Sequence, residues 1–125
     1  MSYIKSYKDL IVWQKSVQLV KEIYILTSKF SDSELYITTS QMRRAVISIP
    51  SNIAEGYGRK SSKEYSQFFS IAYGSTLELE TQLIISKDLN FAQPKDFVNA
   101  ENLLLEVSKM LNSMTAKFKQ LNAKR

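Results

Sequence analysis

Two residue types that carry much of protein chemistry are missing from this chain. It has no cysteine and no histidine. Without cysteine there is no disulfide, no thiolate nucleophile and no Cys-ligated metal. Without histidine the commonest general base and the commonest transition-metal ligand are gone. Glycine and proline are scarce as well, three and two in 125 residues, too few turn-forming residues for a β-rich fold. No apolar run approaches the ~18 residues of a membrane span. The N-terminal MSYIKSYKD also lacks the apolar core of a secretory leader. A cytoplasmic location with no membrane partner is therefore expected.

What is present is ordinary globular material. At 44% hydrophobic and 23% charged, the chain can bury one core, and its length suits a single domain spanning residues 1–125. The net charge of +5, with an isoelectric point near 9.4, is compatible with nucleic acid or another anionic partner but does not require one.

Apolar spacing divides the chain into four helices. Leu10, Trp13, Val17, Val20 and Tyr24 recur at steps of three and four, with Lys8, Lys15, Glu22 and Lys29 on a solvent stripe, giving a helix over 8–29. After the break at Ser31–Ser33, both Ser31-x-x-Glu34 and Thr38-x-x-Gln41 fit a capping box, so a second helix over 34–56 can start at either. Met42, Val46, Ile49 and Ile53 form its apolar stripe, and Gly56 is placed as its left-handed C-terminal cap. Ser61-x-x-Glu64 opens a third helix over 62–90, with Tyr65, Phe69, Ala72, Thr76, Leu79 and Leu83 on its main seam. Ile71, Tyr73, Leu77, Ile84 and Ile85 lie off that seam. In a four-helix domain no helix is central, so this second apolar face calls for a partner chain. Pro94 suits the first position of a fourth helix over 94–121, whose heptads run Phe97, Ala100, Leu104, Val107, Leu111, Met114, Phe118, Leu121. Short connections then give an all-α, antiparallel up-down-up-down four-helix bundle.

Pro50 is the irregular feature of the second helix. Its missing N–H frees the Val46 carbonyl, at a cost of ~3 kcal/mol in a straight helix. A kink at Pro50 is expected, with Ser48, Ser51 and Asn52 as candidates to satisfy the freed group.

Catalysis finds little support. The Glu-x-x-His pairs of di-metal bundles are impossible here. Glu78 and Glu80 are two apart and point to different faces. GYGRKSS lacks the first glycine of a phosphate-binding loop. No catalytic residue, metal site or cofactor is expected. Two polar constellations remain. Gln41, Arg44, Ser48, Asn52 and Glu55 form a stripe on the second helix, level with Ser75 and Glu78 on the third. An ion pair from Arg43 or Arg44 to Glu78 is expected there, as a structural layer or, more weakly, a small-ligand site around Arg44, Ser48 and Glu78. The other constellation is a basic end that gathers Lys5, Lys8, Arg59, Lys60, Lys63, Lys117, Lys119, Lys124 and Arg125 against Asp9, Glu55 and Glu64. Phosphate binding is one reading of it; cations favoured at helix C-termini are the other. Tyr57 and Tyr65 stand beside it, able to stack on bases, although position 65 also fits the core.

Three stretches carry a family likeness: YKDLIVWQKS (Tyr7 to Ser16), SQMRRAVISIPSNIAEGYGRKSSKEY (Ser40 to Tyr65) and FFSIAYGSTLELETQL (Phe68 to Leu83). With its SIPSNIAEG core, the chain resembles the four-helix-bundle proteins encoded in intervening sequences of bacterial 23S rRNA genes, over about residues 7–90. The family pattern has a proline after the phenylalanine ending the first helix, and a Gly-Leu pair before the threonine of the second. Ser31, Ile37 and Thr38 stand there instead, and loss of the glycine favours more helix at that place. The resemblance implies a bundle assembling into rings, typically pentamers, with no established enzymatic activity. It extends to the accessory variability determinant of diversity-generating retroelements, which implies RNA, DNA or a reverse-transcriptase-like protein as possible partners. A purely structural homo-oligomer is the alternative.

Overall fold

In the computed structural model the described residues are 4–123, with side chains described for 4–117. Four helices carry the fold: α1 (Ile11–Thr27), α2 (Ser40–Tyr57), α3 (Ser62–Asp88) and α4 (Pro94–Ala123). Their main contacts follow the cyclic order α1–α2–α3–α4–α1. Side-chain pairs fix the directions. Lys15 bonds Glu106 and Lys29 bonds Asp96, so α1 and α4 run opposite ways. Ser48 bonds Ser75 and Ser86 reaches the Met42 sulfur, so α2 and α3 do too. No helix among the described residues is long and apolar enough to cross a membrane.

The apolar seams read for α2, α3 and α4 lead into one core. That of α1 does not: Leu10, Trp13, Val17 and Val20 are half-buried and Tyr24 is exposed. Val12, Leu19 and Ile23, one residue earlier at each step and so ~100° round the helix, take the buried face together with Leu26. Leu19, Ile23, Val46, Ile49, Phe69, Leu79, Phe97 and Val107 are fully buried. Buried hydroxyls turn back to their own helix, Thr27 to the Ile23 carbonyl (2.7 Å) and Thr76 to that of Tyr73 (2.6 Å), so the core holds them without loss of hydrogen bonding. At one end Phe30 meets Phe91 edge-on, with centroids 5.5 Å apart, and lies 6.4 Å from Phe97.

Helix ends depart from the expected ones for identifiable reasons. The first helix begins at Ile11 instead of residue 8, because Ser6 and Asp9 close a capping box around a separate 3-10 turn, Tyr7–Asp9. Neither expected box before α2 forms: Ser31 Oγ bonds Ser33 Oγ (2.7 Å) and Thr38 Oγ1 bonds Glu34 Oε1 (2.8 Å). Residues Leu35–Thr39 instead make a π-helical turn running straight into α2, with the Ser40 N–H bonded to the Leu35 carbonyl. The region where the family's glycine is lost is therefore helical.

Gly56 is not the left-handed cap; it lies inside α2, and no glycine has positive φ. Its reason is close approach. A Cβ there would lie 2.9 Å from both Phe68 Cβ and Phe69 Cδ1. The residue that does take the left-handed conformation is Asn90, φ 59°. Its N–H bonds the Lys87 carbonyl (3.1 Å) and the Phe91 N–H bonds that of Ser86 (3.0 Å), the double closure of a Schellman cap on α3. Asparagine suits this because its side chain makes the left-handed region less costly than for other residues.

Pro50 is buried within α2, and helix continues on both sides of it. The polar side chains expected to satisfy the Val46 carbonyl bond its neighbours instead: Ser48 to Ala45 (2.8 Å), Ser51 to Ile47 (2.8 Å) and Asn52 to Ser48 (2.7 Å).

The first turn of α4 supplies a pH-sensitive contact. The Asp96 carboxylate accepts from Lys29 Nζ (2.8 Å) and the Gln93 N–H (3.0 Å). The Lys29 hydrogen bond above all holds its carboxyl below the ordinary carboxylate range. A carboxyl lowered in the folded state adds stability well above its unfolded value of about 4, lost as pH falls through the folded value. Asp96→Asn should therefore lower the melting temperature at pH 7. The gap to the parent protein should begin to narrow as pH falls below about 4 and close only below the lowered folded value, where Asp96 too is neutral.

Candidate nucleic-acid interface

The turn between α2 and α3 is built by short-range bonds. The Gly58 N–H bonds the Ala54 carbonyl (3.3 Å), and the Arg59 N–H bonds that of Gly56 (3.0 Å). Ser61 then caps α3, its hydroxyl accepting from the Glu64 N–H (3.2 Å). These closures hold Arg59, Lys60 and Lys63 around one tight turn. Arg59 is already engaged: Nη2 donates to Glu55 Oε1 (2.6 Å), and the guanidinium lies 4.6 Å from the Phe68 ring centroid. Lys60 and Lys63 are exposed, and neither forms an ion pair among the described residues.

The N-terminal segment brings two more cations to this end. Asp9 Oδ2 accepts from the backbone N–H groups of Lys5 (2.8 Å) and Ser6 (3.2 Å). Asp9 is therefore occupied by backbone, while Lys5 and Lys8 are exposed. Tyr7 shares a groove with Ala54 of α2, and Ile4 and Leu10 share another with Met110 and Met114 of α4. This sets the segment against the closing part of α2 and the late part of α4, where Lys117 is exposed. The side chain of Lys119, and Lys124 and Arg125 altogether, lie outside the described residues. Tyr65 stacks on Phe69 with centroids 4.4 Å apart. Burial, and secondarily Tyr57, push its phenol above the ordinary value, which favours its core reading.

The expected polar layer divides. Ser48 and Ser75 do meet, hydroxyl to hydroxyl. Among the described residues, however, no ion pair joins Arg43 or Arg44 to Glu78. Arg43 turns the other way, its Nε donating to Thr27 Oγ1 (3.0 Å) and its guanidinium lying 4.3 Å from the Tyr24 ring centroid. The cause is helical angle: at ~100° per residue, Arg43 falls on the α1 side of α2 and Arg44 on the outward crest. Gln41, Arg44 and Glu78 are exposed, and Glu55 serves Arg59. Tyr24 and Thr27 were missed as partners of Arg43. The signal was their position on the same α1 seam as Val20, where it faces α2.

The family comparison bears on the turn and on all four helices. The model for 23S rRNA-intervening sequence proteins matches residues 8–113. The chain belongs to that family. The match extends beyond the stretches first seen, through most of α4. Within the 23S rRNA-intervening sequence family span lie Lys8, Arg59, Lys60 and Lys63; Lys5 and Lys117 lie outside it. No match was found among curated proteins.

Proposed function

We propose that this protein is a non-enzymatic, homo-oligomeric bundle that binds RNA or DNA through its basic end. The observation that carries this is Lys63. It is the second residue of α3, exposed and without an ion-pair partner among the described residues. There the helix macrodipole disfavours a cation by about 0.3–1 kcal/mol. Stability explains Arg59, which follows the C-terminus of α2 and pairs with Glu55, but it does not explain Lys63. Lys60, Lys5, Lys8 and Lys117 extend the same surface, and such cations gain affinity for phosphate by releasing counterions.

Assembly into a ring, with five copies as the family resemblance implies, would repeat this surface around one rim. The likeness to the accessory variability determinant supports the same reading by analogy, with a reverse-transcriptase-like protein as a route to the nucleic acid. A bend of α2 at Pro50 that shapes a subunit contact belongs to it as well. The test is fluorescence anisotropy of labelled single-stranded RNA and duplex DNA at about 50 mM salt, where phosphate contacts are strong. Micromolar or tighter binding of either is expected. No binding of either rejects the proposal in favour of a purely structural oligomer.

A further inference from the structure

Exposed apolar side chains gather on the outer face of α3. Ile71, Leu77, Ile84 and Ile85, which lie off the main seam, are each about half exposed. Ile71 and Leu77 flank Gly74, around which nothing lies within 4 Å of the position a Cβ would take, and Ile84 and Ile85 continue the face toward the end of α3. A glycine there weakens the helix, and no contact within the subunit requires it. The result is a flat apolar stripe. Of the two exposed carboxylates in this stretch, Glu78 stands within the stripe and Glu80 at its α4 edge beside Ile84, and no lysine or arginine occurs from Ser70 to Ser86.

A complementary surface lies between α1 and α2. Trp13, Val17, Val20, Ile47 and Pro50 line an apolar groove of about 380 Å³. Lys21, one helical turn beyond Val17, and Arg44, one turn before Ile47, stand exposed at its outer edges. Neither forms an ion pair among the described residues. An apolar stripe carrying acids thus has an apolar groove carrying bases to match it.

We propose that the α3 stripe of one copy seats in the α1–α2 groove of the next, head to tail. Heights along the bundle agree. The Ser48–Ser75 bond sets the middle of α3 level with the middle of α2. In a ring whose axis runs along the bundles each element keeps its height. Gly74 then arrives beside Ile47 and Pro50, and Glu78 beside Arg44. Contacts of this heterologous kind close into rings when the rotation permits. Gly74 lets the neighbouring helix pair approach closely, which accounts for a glycine with no local role. This inference rests on the oligomeric part of the proposed function and adds which surfaces meet.

Trp13 is the only tryptophan, so its emission reports on the groove. Mass by light scattering and Trp13 emission should be measured for the parent chain and for three variants. The parent should be a multiple of 14.4 kDa. Gly74→Gln places a good helix former in open space, so it should keep full helicity yet fall to the mass of one chain, with red-shifted emission. Glu78→Arg should lower the mass, and adding Lys21→Glu and Arg44→Glu to it should restore it. A parent that is monomeric at every concentration overturns both this inference and the oligomeric reading. An oligomeric parent whose mass and emission survive Gly74→Gln and Glu78→Arg overturns only the assignment of surfaces.

Discussion

Truncating Phe69 to alanine is expected to destabilise the bundle by about 3–5 kcal/mol, the usual range for a buried phenylalanine. Phe69 is fully buried, stacked on Tyr65, and pressed against the α2 backbone at Gly56. The truncation leaves a cavity at the crossing of α2 and α3, where helices held this close cannot collapse further without shifting backbone. Against a total of about 5–15 kcal/mol for a typical domain, this is a large share, to be read from urea unfolding midpoints at constant slope. The reciprocal change, Gly56→Ala, should cost about 1–3 kcal/mol by overpacking the same crossing. A loss below about 1 kcal/mol for Phe69→Ala would contradict this account of the crossing.

The second expectation separates binding from stability. Lys60→Glu with Lys63→Glu should weaken binding of the labelled nucleic acid by about tenfold or more at ~50 mM salt, since two phosphate contacts are replaced by repulsion. The same double variant should melt no lower than the parent. A carboxylate in the first turn of α3 complements the macrodipole that Lys63 opposes, by about 0.3–1 kcal/mol. Lys95→Glu is the matched control for Lys63→Glu. Lys95 is also the second residue of its helix, but at the opposite end of the bundle. It should gain similar stability and leave binding nearly unchanged. Equal weakening by Lys95→Glu and Lys63→Glu would show only a net-charge effect and remove the basic end from the reading.

Much of the fold was legible because each helix repeats its apolar residues at helical spacing with few interruptions. Met42, Val46, Ile49 and Ile53 of α2 lie one turn apart, and Phe97, Ala100, Leu104 and Val107 follow heptads that no strand could bury together. In α1 the buried face was read one residue late, because Val12, Leu19 and Ile23 repeat at the same spacing as Trp13, Val20 and Tyr24. What escaped depended on neighbours distant in sequence. Gly56 stands just before a turn, where a glycine normally caps a helix, and only the approach of Phe68 and Phe69 reveals its other use. Asn90 does the capping that glycine was expected to do, at the end of a different helix. At the site, clustering of Lys60 and Lys63 in one turn was readable from adjacency. The engagement of Arg59 with Glu55 was available too, as an i, i+4 pair, but its position over Phe68 was not. Arg43 was assigned to α3 because the polar stripe of α2 was read as one face, whereas a single residue's rotation carries it to Thr27 and Tyr24.

The most direct test of the account is the salt dependence of duplex DNA binding by the parent protein. Repeated basic ends in one assembly predict log K falling linearly with log salt, with a slope steeper than about −2, since each phosphate contact contributes about −0.9 and Lys60 and Lys63 of one copy supply only two. Affinity that does not change between about 50 and 200 mM salt, or no binding at the lower value, would contradict it.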